Sequence, residues 1–151
     1  MGNPFAALDR TMTWIEHSVG KGGSNRPEDV QRMQFGLNVA HLDPHNSFRM
    51  DSVLRMDGIC GPKTSAAILA YQQHKMNGGG SLPIFVADGL ITAHRAAFLE
   101  DRHFGFSTLY VLNLDVLEGI RRINFIELAQ GSFAEPLLSK VILPLRKMGV
   151  L

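Results

Sequence analysis

Apolar and polar positions along the chain separate into distinct stretches. Leu8, Met12, Ile15 and Val19 recur at helical steps and predict a short amphipathic helix over Leu8 to Val19. Gly20-Lys21-Gly22-Gly23-Ser24-Asn25 then breaks the chain and reads as a loop or linker. Pro27, Glu28 and Asp29 look like a first helical turn, with Asn25 or Arg26 before it and acidic residues at the positive end of the dipole. Val30, Met33, Leu37 and Ala40 supply its apolar stripe. His41 to Met56, with Pro44, His45, Asn46 and Ser47, reads as a long connection.

A second helix is predicted after the turn signal Asp57-Gly58. Gly61-Pro62 starts it, Thr64 lies in its first turn, and Ala67, Ile68 and Tyr71 form its buried face. Asn77-Gly78-Gly79-Gly80-Ser81 ends it. Pro83 to Val86 suits a short extended piece, Asp88-Gly89 is another turn, and Thr92 can cap a helix over Ala93 to Asp101. Leu109 to Ile126 fits helix and strand periods alike. Ala134 to Met148 reads as helical, with Pro136 in its first turn and Pro144 kinking or ending it. Asp57-Gly58-Ile59 and Asp88-Gly89-Leu90 echo one another but are too short to define a repeat.

Length, charge and cysteine content narrow the classes. The 151 residues can bury a real core without covalent staples. Fifteen basic residues face fourteen acidic ones. Up to residue 75 the balance is 8 basic against 7 acidic and beyond it 7 against 7, so neither half is basic enough for electrostatic nucleic-acid binding. Cys60 is the sole cysteine, so an internal disulfide is excluded, and it is expected to fill a small apolar gap. The purely apolar runs, Ile84 to Ala87 among them, are far short of a membrane span. Asp9, Arg10 and Glu16 interrupt the apolar residues of the N-terminal stretch, unlike a Sec signal. Synthesis in the cytoplasm without a Sec signal is therefore expected, with the periplasm or cell wall as the site of action if the protein is exported.

Two blocks carry a family resemblance. The first is Pro27-Glu28-Asp29-Val30-Gln31-Arg32-Met33-Gln34, continuing to Leu37-Asn38. The second is Asp57-Gly58-Ile59-Cys60-Gly61-Pro62-Lys63-Thr64, continuing to Ala67-Ile68 and Tyr71-Gln72. The second resembles the Asp-Gly-x-x-Gly-Pro-x-Thr-x-x-Ala-Ile-x-x-Phe-Gln run of the peptidoglycan-binding domain family, small three-helix modules attached to cell-wall enzymes. Tyr71 replaces the usual Phe and keeps an aromatic ring. Val19-Gly20-Lys21-Gly22-Gly23 resembles a subgroup of these domains, and Ala87-Asp88-Gly89-Leu90-Ile91 resembles an Asp-Gly segment that follows the domain in some members. The main resemblance covers Val19 to Gln73, about a third of the chain.

The resemblance implies an all-α, mainly helical fold: a peptidoglycan-binding-like three-helix bundle with extra N- and C-terminal helices, and room for a short strand or hairpin in the C-terminal half. The implied organisation is an N-terminal helix and Gly-rich linker at 1–24, the domain at 25–101, and an extension at 102–151. Asp29, Val30, Gly58, Gly61, Pro62, Thr64, Ala67, Ile68 and Tyr71 are expected to encode the fold. Gln34, Asn38, Asp57, Lys63 and Gln72, the polar groups nearest the motif helices, are candidate contacts for a peptidoglycan or muropeptide fragment. The function implied is noncatalytic wall recognition, reached by a route such as type VI-like secretion or phage lysis. An alternative is a protein-interaction module of a secretion apparatus, an effector or a phage particle.

Catalytic and metal chemistry finds little support in the pattern. His41 and His45 have zinc-like spacing, but Pro44 separates them and no third ligand follows at a suitable interval. No cofactor motif is present; Gly20-Lys21-Gly22-Gly23-Ser24 lacks the phosphate-loop pattern. Glu100-Asp101, near His94 and His103, is the best cluster for an unrecognised wall hydrolase, but adjacent helix positions point to different faces and a solvated helix end explains them. The chain is therefore expected not to be an enzyme. The apolar stretch Leu109 to Leu117 is either a partner surface or core, with core favoured.

Overall fold

The computed structural model describes residues 15–78, 86–92, 108–119 and Arg122. Among them the order of elements is β1 (Val19–Gly20), α1 (Pro27–Leu42), α2 (Pro62–Met76), β2 (Leu90–Ile91) and α3 (Thr108–Gly119). Among the described residues the fold is helix-rich, three helices with a small antiparallel two-strand sheet. The helices expected over Ala93 to Asp101 and Ala134 to Met148 lie outside the described residues, as does the extended piece up to Phe85.

Helix α1 begins where the Pro-Glu-Asp signal placed it. Arg26 is the N-cap in an extended conformation and Pro27 takes the first turn. Because α1 is central, almost its entire middle is buried, polar residues included. Helix α3 lies along it at close range. A Cβ built on Gly36 would stand 3.3 Å from Leu112 Cδ2 and 3.4 Å from Val116 Cγ2, so glycine lets the two helices approach. The ambiguous apolar stretch after residue 108 is thus helical, and Leu109, Val111, Leu112 and Val116 are core.

Helix α2 starts after the Gly61 N-cap with Pro62, and Asn77 caps its C-terminus. Val30, Met33 and Leu37 of α1 and Ala67, Ile68 and Tyr71 of α2 are all buried in one apolar cluster, as their spacing predicts. The same cluster takes in Ile15 and Val19 upstream and the α3 residues downstream. The connection after α1 is irregular, yet it contributes Phe48, Leu54 and Met56 to the core. Phe48 packs edge-on against Tyr71, with ring centroids 5.1 Å apart and planes at 83°, a favoured aromatic geometry.

The segment leading to Val19 departs from the helix expected there. Residues 15–18 are not helical, and Val19–Gly20 is a strand paired antiparallel to Leu90–Ile91, Val19 opposite Ile91. The cause is Asp29. Its buried carboxylate accepts the backbone N–H groups of Glu16 (3.0 Å) and His17 (3.1 Å), donors that a helix would have turned to its own carbonyls. The Gly-rich stretch is a built turn. Asn25 Oδ1 accepts the Gly20 N–H (2.7 Å), and its Nδ2 donates to the carbonyls of Gly20 and Gly23. Gly20 is required by proximity: a Cβ there would overlap the Gly89 carbonyl oxygen.

Candidate functional site

Two identical polar clasps organise the motif residues. In the first, the Gln34 carboxamide projects from α1 into the Asp57-Gly58-Ile59 turn. Its Oε1 accepts the Gly58 N–H (3.0 Å). Its Nε2 donates to Asp57 Oδ1 (3.1 Å), the Ile59 carbonyl (3.1 Å) and Thr64 Oγ1 (3.0 Å) at the start of α2. The Ile59 N–H closes the turn onto Asp57 Oδ1 at 2.9 Å.

The second clasp repeats every contact one helix later. Gln72 of α2 accepts the Gly89 N–H (2.7 Å) and donates to Asp88 Oδ1 (3.5 Å), the Leu90 carbonyl (2.9 Å) and Thr108 Oγ1 (2.9 Å) at the start of α3. The Leu90 N–H returns to Asp88 Oδ1 at 3.0 Å. Gly58 and Gly89 share φ values of 78° and 80°, a region that glycine enters without steric cost. The Asp-Gly echo, too short to define a repeat in the sequence, is therefore one half of a repeated structural unit: helix glutamine, Asp-Gly turn, helix-starting threonine.

Each glutamine behaves as a short strand edge, meeting a backbone N–H and a backbone C=O together. On β2 this satisfies one side while β1 covers the other. Asn25 does the same service on the far side of β1. Both edges of the two-strand sheet are thus closed by side-chain amides, which removes a template for unwanted strand pairing.

The remaining candidate contacts divide by exposure. Gln34, Asn38 and Gln72 are buried. Asn38 exchanges two hydrogen bonds with the Leu54 backbone, 2.7 Å to its N–H and 2.9 Å to its carbonyl. These three amides therefore hold loops to helices. Asp57 and Lys63 are exposed, and between them stands Ile59, 66% exposed and the most exposed large hydrophobic among the described residues. Arg55 is exposed nearby. Burial pushes the Asp57 carboxyl up, but the Ile59 N–H, Gln34 and the positive charge of Arg55 outweigh it and hold it below its usual range. The turn thus presents an ionised carboxylate and an apolar side chain, with exposed cations in the flanking segments, Arg55 before it and Lys63 at the start of α2, and the clasp beneath fixing its backbone. Ile59 and Arg55 carry no motif signature, so sequence spacing did not single them out.

A second polar network lies in the core. Asp115 of α3 accepts the Tyr71 hydroxyl at 2.5 Å and pairs with Lys75 Nζ at 3.0 Å. Lys75 is only 3% exposed, and its ammonium sits 5.4 Å from the Tyr71 ring centroid. Burial first, then the Asp115 charge, pushes the Tyr71 phenol well above its usual range. The hydroxyl stays protonated and serves as a donor. A third link, Arg122 to Asp43, is bidentate, with both bonds at 2.8 Å. That guanidinium holds the Asp43 carboxyl below its ordinary range.

His41, His74 and Cys60 have local roles. His41 Nδ1 accepts the Met50 N–H at 2.9 Å, and His74 Nε2 lies 2.9 Å from Ser47 Oγ. Among the described residues no cluster of three or more His, Cys, Asp or Glu side chains could hold a metal. Cys60 is half-buried against the core, with Sγ 3.5 Å from Ser65 Oγ. Glu100, Asp101, His94 and His103 lie outside the described residues. Among those residues no helix is long and apolar enough to cross a membrane. No protein-family model, curated protein or solved structure matches the chain.

Proposed function

We propose that the chain is a noncatalytic peptidoglycan-recognition module of the three-helix peptidoglycan-binding type, acting in the periplasm or cell wall. One observation supports this reading above the others. The Asp57 to Gln72 motif spends its buried polar groups on the clasps and leaves Asp57 and Ile59 displayed on a rigid turn, with Lys63 exposed at the start of α2. An exposed isoleucine between two opposite charges contributes nothing to the core, and it suits a short peptide bearing amides, methyl groups and carboxylates. Asp57 would accept stem-peptide N–H groups, Lys63 would face a stem carboxylate, and Ile59 would cover an alanine methyl. Each hydrogen bond nets about 0.5–1.5 kcal/mol, so a few such contacts give affinity in the micromolar to millimolar range.

The test is co-sedimentation with purified sacculi at low and high salt. The wild-type chain is expected in the pellet with little salt dependence, since the net charge is only +1. The double variant Ile59→Ser/Lys63→Glu, altered only at exposed positions, is expected in the supernatant with an unchanged circular dichroism spectrum. Soluble muropeptides should not appear in either sample. A wild-type chain that stays in the supernatant at both salt concentrations would remove the wall reading and leave this surface to a protein partner in a secretion apparatus or phage particle.

A further inference from the structure

The end of α2 holds a chemical feature that wall recognition does not use, and the inference drawn from it is independent of that reading. Asn77 is the C-cap of α2, is exposed, and precedes Gly78. It is the only asparagine in the chain followed by glycine. Gly78 has φ +84° and no side chain to obstruct its amide nitrogen. That N–H is held only by a long bond of 3.3 Å to the Lys75 carbonyl. Asn25 and Asn38 are different: their carboxamides are engaged by backbone groups on both the oxygen and nitrogen sides, and bulkier residues follow them.

We propose that Asn77-Gly78 is a site of spontaneous backbone modification. The Gly78 amide nitrogen, on losing its proton, attacks Asn77 Cγ. A new N–Cγ bond forms, the bond from Cγ to the side-chain nitrogen breaks, and ammonia leaves with the proton. Water then opens the five-membered imide at either carbonyl, giving aspartate or isoaspartate. Either product places a carboxylate at the negative end of the α2 dipole, where it is unfavourable. Isoaspartate also inserts a methylene into the backbone at the turn where Asn77 N bonds the Gln73 and Lys75 carbonyls. The turn affected is the one bearing Lys75, whose ammonium holds Asp115 of α3. Modification therefore loosens the α2–α3 attachment with age.

The experiment incubates the full chain at mildly alkaline pH, then maps peptides by mass spectrometry and labels isoaspartate with an isoaspartyl methyltransferase. Conversion at Asn77 is expected to outpace every other asparagine and to disappear in Asn77→Gln. The variant Asn77→Asp, which installs one product directly, is expected to melt at lower temperature than wild type. The proposal is overturned if Asn77 stays intact while other asparagines convert, or if Asn77→Asp melts at or above the wild-type temperature.

Discussion

Replacing Gln34 by alanine tests the clasp directly. The substitution removes every bond that the carboxamide makes to the turn and to α2. Asp57 and Ile59 are exposed, so their freed acceptors can turn to water. The Gly58 N–H and the Thr64 hydroxyl are buried and cannot readily do so. A stranded buried group costs about 1–3 kcal/mol, and the one lost side-chain methylene adds about 0.8 kcal/mol. Water entering the vacated space offsets part of this, leaving an expected loss of about 2–4 kcal/mol, large against total stabilities of about 5–15 kcal/mol. Urea melts analysed by linear extrapolation read it. Gln72→Ala should cost the same within about 1 kcal/mol, because the second clasp makes the same contacts and measured terms vary with context by that much. Gln34→Glu sharpens the test: its carboxylate would face Asp57 and the Ile59 carbonyl with no proton to donate. Its folded-state pKa is then raised above the unfolded value of about 4.3. The variant should lose stability as pH rises from that unfolded value through the folded one, and recover as pH falls. A Gln34→Ala loss below about 0.5 kcal/mol, the scale of an ordinary surface change, would refute the structural role of the clasp.

Two further outcomes follow from the core and the charge pairs. Ile68→Ala, at a position 1% exposed, should cost about 2–5 kcal/mol in the same melts. Arg122→Gln should cost about 1 kcal/mol near neutral pH, since the guanidinium is partly exposed and screened. Because Asp43 has a lowered folded-state pKa, its contribution is present above its unfolded pKa and lost as pH falls through the folded one. The difference between wild type and Arg122→Gln should therefore shrink toward acid in pH-dependent melts.

Helices α1 and α2 were legible because their apolar spacing, Pro starts and Asn end are local signals. The clasp was legible only in part. Its first copy lies within a recognisable motif, but its second was hidden by unequal loops: Gln34 and Asp57 are 23 residues apart, whereas Gln72 and Asp88 are 16 apart. A hydrogen-bonded clasp depends on where the glutamine sits on its helix, and a fixed sequence period is unnecessary. Strand β1 was missed because Val19 continued a helical stripe, while the carboxylate that redirects the chain, Asp29, lies ten residues later. Leu109 to Leu117 satisfied two periods at once, and only its packing against Gly36 distinguishes core helix from partner surface. Of the candidate contacts, Gln34, Asn38 and Gln72 sit in the motif for their amides' internal bonds, which residue type alone does not distinguish from ligand binding.

The most direct test of wall recognition is a backbone amide NMR titration of the full chain with a purified muropeptide. The predicted result is a saturable set of shift changes centred on residues 57–63, with residues 88–91 unaffected because Leu90–Ile91 is paired with β1 and Leu90 is half-buried where its counterpart Ile59 is exposed. Saturating changes centred elsewhere, or none at millimolar muropeptide, the upper end of the affinity expected for a few hydrogen bonds, would contradict it.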